Sequence, residues 1–94
     1  MEVLYSRKAQ RDIRGLDLGT DRRRVLKGIR SGLVEETLNA DIRAIGNGML
    51  RLRVGDYRVL FVKSIDGEQA AAVIVRIVHR SELDQAVAQM NVST

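Results

Sequence analysis

Apolar residues recur with a helical period at the start of the chain and with a strand period in its second half. After Glu2–Tyr5, which can form a short strand, Ala9, Ile13 and Leu16 fall at spacings of four and three, one face of a helix beginning at Ser6. Gly15 and Gly19 end that pattern. Thr20 is placed to cap a second helix, followed by Asp21 in its first turn and an apolar stripe of Val25, Leu26, Ile29 and Leu33. Two antiparallel helices therefore fill residues 6 to about 34. The stretch Val34–Gly48 is less regular and crosses from the helices to a sheet.

Beyond it the period becomes two. Leu50, Leu52 and Val54 alternate with Arg51 and Arg53; Gly55-Asp56 suits a two-residue type II′ hairpin turn, and Tyr57–Lys63 forms the next strand. Asp66-Gly67 signals a further turn before a third strand, Ala70–Val78. Ser81-x-x-Asp84 has the form of a capping box, and Leu83, Val87 and Met90 make the apolar stripe of a short last helix. The order predicts an α+β fold: an N-terminal strand, a two-helix antiparallel hairpin, an antiparallel meander of three strands and a short C-terminal helix, with helices packed on one face of the sheet. At 94 residues the chain is read as a single domain, 1–94.

Placing charges on this sheet raises the chemical question. If Gly55-Asp56 form the loop, Val54 pairs with Tyr57 and Arg53 lies opposite Arg58. Alternation then puts Arg51, Arg53 and Arg58 on one face and Leu52, Val54, Tyr57, Val59 and Phe61 on the core face. In the third strand Arg76, Val78 and Arg80 share a face, with Ile77 and His79 on the other. If Arg76 and Arg80 join the first three, five guanidiniums crowd one concavity. Like charges directly opposite each other destabilise a hairpin by some tenths to ~1 kcal/mol. Either the side chains splay into solvent and pair with Asp56, Glu68 or Glu82, or a phosphodiester relieves the repulsion.

Composition narrows the options. Sixteen Lys and Arg against twelve Asp and Glu give a net charge of +4, and thirteen of the sixteen cations are arginine. Guanidinium is the planar, permanently charged fork suited to phosphate, so a polyanionic partner is one reading and a merely basic surface the other. The basic run Arg22-Arg23-Arg24 with Lys27 and Arg30 reads the same two ways: a solvated helix face or a secondary RNA contact. There is no cysteine, which excludes a disulfide scaffold, a thiolate metal site and a cysteine nucleophile. Three aromatics are too few for base stacking along a single strand. The longest nearly apolar run, Ala70–Val75, is too short to span a bilayer, and without a signal-peptide pattern the expected location is cytoplasmic.

Met49–Phe61, M-L-R-L-R-V-G-D-Y-R-V-L-F, resembles the core motif of the RelE/ParE toxin superfamily, and Val78-His79-Arg80-Ser81-Glu82-Leu83 resembles its second signature. Asp41-Ile42-Arg43-Ala44-Ile45-Gly46, the size and the element order are also similar, so the likeness covers nearly the whole chain. The resemblance implies a RelE-like fold and the toxin of a type II toxin–antitoxin pair. RelE-like members are ribonucleases that cut mRNA in the ribosomal decoding site, whereas ParE-like members poison DNA gyrase. In the ribonuclease branch basic strand residues bind the scissile phosphate; those positions match Arg51, Arg53 and Arg58, with Arg80 at the last strand's end. Many members place a tyrosine or histidine shortly after that arginine to handle a proton. Here the matching position is Asp84, whose carboxylate would repel phosphate, so the proton carrier near the site is His79, on the face opposite Arg80 by alternation.

The expected reaction is metal- and cofactor-independent attack of an RNA 2′-hydroxyl on the adjacent phosphorus. Arg58 and Arg80 clamp the phosphate, His79 handles a proton, and Arg51, Arg53 and Arg76 bind RNA. Gyrase inhibition and an inactive antitoxin-binding module are the alternatives. The implied partners are mRNA and the ribosome, or else gyrase, and an acidic antitoxin in a hetero-oligomer. Leu83, Val87 and Met90 offer that antitoxin an apolar surface, unless they pack back onto the sheet.

Overall fold

The computed structural model describes residues 1–92 as one five-stranded sheet with helices against both faces. Strand β1 (Glu2–Tyr5) leads into α1 (Arg7–Arg14) and α2 (Asp21–Ile29), which continues as a π-helical turn at Arg30–Val34. Then come β2 (Ile42–Gly46), β3 (Met49–Val54), β4 (Tyr57–Asp66) and β5 (Gln69–His79). A 3₁₀ turn at Arg80–Glu82 enters α3 (Leu83–Val92). The sheet order is β1-β5-β4-β3-β2; β1 runs parallel to β5 and every other neighbouring pair is antiparallel.

Local chemistry sets the helix ends. The Ser6 hydroxyl accepts the Ala9 N–H at 3.1 Å, capping α1. At the other end Arg22, from α2, donates to the carbonyls of Ile13 (3.0 Å) and Arg14 (2.8 Å), satisfying groups the helix leaves open. One arginine of the basic run thus ties the two helices together. Thr20 stands at the N-cap of α2 without a side-chain cap bond.

Alternation along the strands divides the apolar residues into two cores. Leu52, Val54, Val59, Phe61, Ile74 and Ile77 meet Ala9 of α1, Val25 and Ile29 of α2 and Leu33 of the π turn. On the opposite face Leu60 and Val78 meet Ala86 of α3, with Ile45, Met49, Leu83, Val87 and Met90 around them. At ~1.5–3 kcal/mol per large side chain removed from water, the first core dominates folding. Among the described residues no helix is long and apolar enough to cross a membrane.

The α+β class and the element order follow the sequence pattern, with three differences. The segment 34–48 contains β2, closed onto β3 by Asn47-Gly48; both turn residues have positive φ (54° and 76°), the type I′ geometry that Asn-Gly favours. The sheet is mixed, because β1 joins it in parallel. The helices do not share one face: α3 covers the side opposite α1 and α2, since Leu60 and Val78 alternate with first-core residues and leave a second apolar surface to bury.

Helix α2 sits close to β3 at Gly28. A Cβ there would lie 2.5 and 2.7 Å from the two Val54 methyl carbons, and a short branched side chain cannot swing aside. Gly28→Ala is therefore expected to cost ~1–3 kcal/mol of stability through overpacking, read as a lowered Tm or urea midpoint. Gly15→Ala, which meets nothing nearer than 3.6 Å, is the control. An unchanged midpoint for Gly28→Ala would contradict the packing described.

Candidate nucleic-acid interface

The β3–β4 hairpin carries the site. Val54 pairs with Tyr57 and Arg53 with Arg58, as the sequence alternation predicts. Gly55, at φ +58°, opens the turn, where a side chain would be strained. Because Leu52, Val54, Val59 and Phe61 are buried against α1 and α2, Arg51, Arg53 and Arg58 must project from the other face. Arg80 reaches the same end of the sheet from β5. Its backbone N–H donates to the Asp56 carbonyl at 2.7 Å, and its Nε lies 3.7 Å from the Asp56 carboxylate.

The convergence has an electrostatic consequence. Burial holds the Arg58 guanidinium below its ordinary value, and the positive charges of Arg53, Arg51 and Arg80 lower it further, while Asp41 acts the other way. Arg58 thus senses the charges of three other guanidiniums at the hairpin end. Their anchoring differs. Arg51 is mostly buried and held by Asp41, through its carboxylate and its carbonyl, each at 3.3 Å. Arg58 folds back to donate to the carbonyls of Gly55 and Tyr57, both at 3.0 Å. Arg80 is 64% exposed on its Asp56 contact. Arg53 is exposed and, among the described residues, makes no ion pair within 4.0 Å. Asp41 also contacts Arg43 at 3.7 Å, so the carboxylates present do not neutralise the group. Such a face attracts an anion.

Other expected members stand elsewhere. Arg76 does not join the four. Strand β1 ends at Tyr5, so the outer edge of β5 beyond Ile74 is served by side chains. Ser6 donates to the Val75 carbonyl, and Asp12 of α1 accepts the Ile77 N–H at 2.8 Å. The same Asp12 carboxylate takes Arg76 through Nε at 2.9 Å and Nη2 at 3.3 Å, drawing that guanidinium to the sheet edge.

His79 pairs with Tyr57 across the ladder, on the face opposite Arg58. Its ring stands edge-on to Tyr57 at 5.6 Å, and its Nδ1 accepts the Ser81 N–H at 3.2 Å. It caps the turn that carries Arg80. Tyr57 in turn donates its hydroxyl to Asp21 at 3.0 Å; burial, then that bond, raises its pKa above 10.0. Asp84 is exposed on the first turn of α3. Leu83, Val87 and Met90 pack back onto Leu60, Val78 and Ala86 and do not form an open apolar surface. The sequence reading missed Asp41, the anchor of Arg51. Asn47-Gly48 was the available signal, because it folds β2 against β3 and brings Asp41 beside Arg53, whose N–H it accepts at 3.0 Å.

Residues 3–84 match the family model described as the ParE toxin of the type II toxin–antitoxin system parDE. The chain belongs to the ParE toxin family. Its fold is that of the wider RelE/ParE superfamily of type II toxins. The RelB–RelE antitoxin–toxin complex of Methanococcus jannaschii aligns with a TM-score of 0.63 at 22% identity, over 88% of this chain and 96% of that one. The YoeB/ParE toxin of Agrobacterium tumefaciens aligns at 0.61 and 17%, over 84% and 98%. The RelBE2 toxin–antitoxin complex of Mycobacterium tuberculosis aligns at 0.56 and 28%, over 84% and 96%. No curated protein sequence gives a significant match. In this ParE-family toxin the arginine hairpin and Arg80 all lie inside the matched segment.

If Arg53 and Arg58 repel across the hairpin, Arg53→Thr will stabilise the free toxin by some tenths of a kcal/mol at low salt. The gain will shrink toward zero as ionic strength approaches ~1 M. Urea unfolding at two salt concentrations reads this directly. A variant less stable than the parent at both would show that the pair is not repulsive.

Proposed function

We propose that this toxin acts on RNA, as a metal-independent endoribonuclease that cuts ribosome-bound mRNA and so blocks translation in the cytoplasm. The observation that carries the reading is the meeting of Arg51, Arg53, Arg58 and Arg80 around one hairpin end. In the reaction the RNA 2′-oxygen bonds to phosphorus and the P–O5′ bond breaks, leaving a 2′,3′-cyclic phosphate and a 5′-hydroxyl. Charge grows on the phosphoryl oxygens in the transition state, where fixed guanidiniums stabilise it most in a water-poor site. Arg58, preset by its own backbone carbonyls, and Arg80 act as the clamp; Arg51 and Arg53 hold the chain. His79 lies on the other face, so its part is to position Arg80. Water then takes the proton from the 2′-hydroxyl and gives one to the 5′-oxygen. Without a general acid or base the enzyme forgoes ~10²–10⁴-fold in rate.

Two relatives above are solved with antitoxins. A protein antitoxin, acidic to match the +4 charge, is the partner proposed here, covering the arginine face. Use of Leu83, Val87 and Met90 by such a partner requires lifting α3 from the sheet.

The second reading, gyrase inhibition, is favoured by one observation: among the described residues no histidine joins the four arginines. Assays of ribosome-bound message and of gyrase supercoiling separate the two. Endonucleolytic cleavage is expected, falling ~10²–10³-fold in Arg58→Ala and in Arg80→Ala. Equal cleavage in both variants rejects the site, and supercoiling inhibition with intact message transfers the function to gyrase.

A further inference from the structure

Arg24, Gly28 and Gly32 recur every four residues and so share one face of α2 and its π-helical turn. That face follows β3 in reverse order. A Cβ at Gly32 would stand 2.9 Å from Leu52, and one at Gly28 would stand 2.5 Å from Val54. Arg24 comes next and meets Gly55, its Cδ 3.7 Å from the place a Gly55 Cβ would take. The two glycines let the helix down onto the strand, and that close approach carries Arg24 to the hairpin tip. Arg58, which projects from the opposite face of the sheet, reaches the same residue and donates to the Gly55 carbonyl at 3.0 Å. One exposed glycine therefore has an arginine of the hairpin on one side and an arginine of α2 on the other.

The cations around Arg24 are not balanced. Arg22 is engaged by the α1 carbonyls, and Arg30 contacts Glu35 at 3.8 Å. Arg23, Arg24 and Lys27 are exposed and, among the described residues, have no carboxylate within 4.0 Å. Lys27 lies four residues from Arg23 and three from Arg24, spacings at which like charges destabilise a helix. Arg23 and Arg24 also stand near the N-terminal end of α2, where the helix dipole disfavours cations. Neighbouring carboxylates are turned to other groups: Asp21 takes the Tyr57 hydroxyl at 3.0 Å, Asp17 the Gly19 N–H at 3.1 Å, and Asp56 lies 3.7 Å from Arg80.

We propose that Arg24 and Lys27, with Arg23 beside them, form a second phosphate-binding site for the RNA strand, reached over the hairpin tip at Gly55. Arg58 and Arg80 hold the scissile phosphate; the strand then passes Gly55, which has no side chain to obstruct it, and a flanking phosphate meets Arg24 and Lys27. Such contacts carry no sequence information, but they fix the line of the strand across the clamp.

The second site rests on the RNA-binding reading, and the test separates the two. The full-length toxin is titrated into a fluorescent 2′-O-methyl decaribonucleotide, which cannot be cleaved, over a series of salt concentrations. Anisotropy gives Kd. Two phosphate contacts add about 1.4 to the slope of log K against log salt that the hairpin arginines give. Arg24→Gln/Lys27→Gln is expected to flatten the slope by that amount and to bind about tenfold more weakly at low salt. Arg7→Gln/Lys8→Gln, exposed on α1, removes the same charge and is expected to keep the wild-type slope. If the α2 variant keeps that slope, or both double variants flatten it equally, while Arg58→Ala and Arg80→Ala still weaken binding, the second site is wrong and the RNA-binding face stands. An α2 variant that binds RNA like the wild type but poly-L-glutamate more weakly overturns the proposal in favour of an acidic polypeptide on this patch. If the wild type does not bind RNA, or Arg58→Ala and Arg80→Ala bind it equally well, both readings fail.

Discussion

Everything at the site depends on the register of one hairpin. Pairing Val54 with Tyr57 buries Leu52, Val54, Val59 and Phe61 beneath α1 and α2. It thereby sets Arg53 directly against Arg58. The two consequences are unequal. Burying those side chains is worth ~1.5–3 kcal/mol each, whereas the like-charge pair costs some tenths to ~1 kcal/mol. A slip of one residue would relieve the repulsion only by turning the apolar set out to water. The core therefore holds the arginines together although they repel.

The remaining charges are arranged around that constraint. Asp41 sits under Arg51, and Asp56 beside Arg80, but among the described residues Arg53 and Arg58 face each other without a carboxylate of their own. Arg76, one strand away, has been drawn out of the group by Asp12. The unfilled electrostatic demand is thus local to the hairpin end, where a phosphate would meet it. Helix α3 completes the same face by burying Leu60 and Val78, so that the arginine end is bordered by protein and not by an open sheet.

Much of this was legible in the residues. Strict alternation over Leu50–Val54 and a Gly-first turn gave both the face of Arg51, Arg53 and Arg58 and the pairing of Arg53 with Arg58. Local period was informative there because it is local pairing that sets the hairpin. Arg76 was not legible, since its position depends on where β1 stops and α1 supplies Asp12, a contact between residues 64 apart in sequence. The second core was missed for a related reason. Which side of a sheet a terminal helix takes depends on apolar residues from β4 and β5 together, and no single strand reveals them. His79 shows the limit of residue type: its ring could have served chemistry, and its neighbours make it a cap.

The family membership says that this is a toxin; the arginines suggest how it engages its target, through fixed positive charge and not through a titrating group. The most direct measurement of that claim is the salt dependence of affinity for a non-cleavable oligoribonucleotide. Four guanidiniums on a single strand predict a slope of log K against log salt of about −3, and each change of Arg51, Arg53, Arg58 or Arg80 to Gln should flatten it by roughly 0.7. A slope that stays the same when these arginines are replaced would contradict the account.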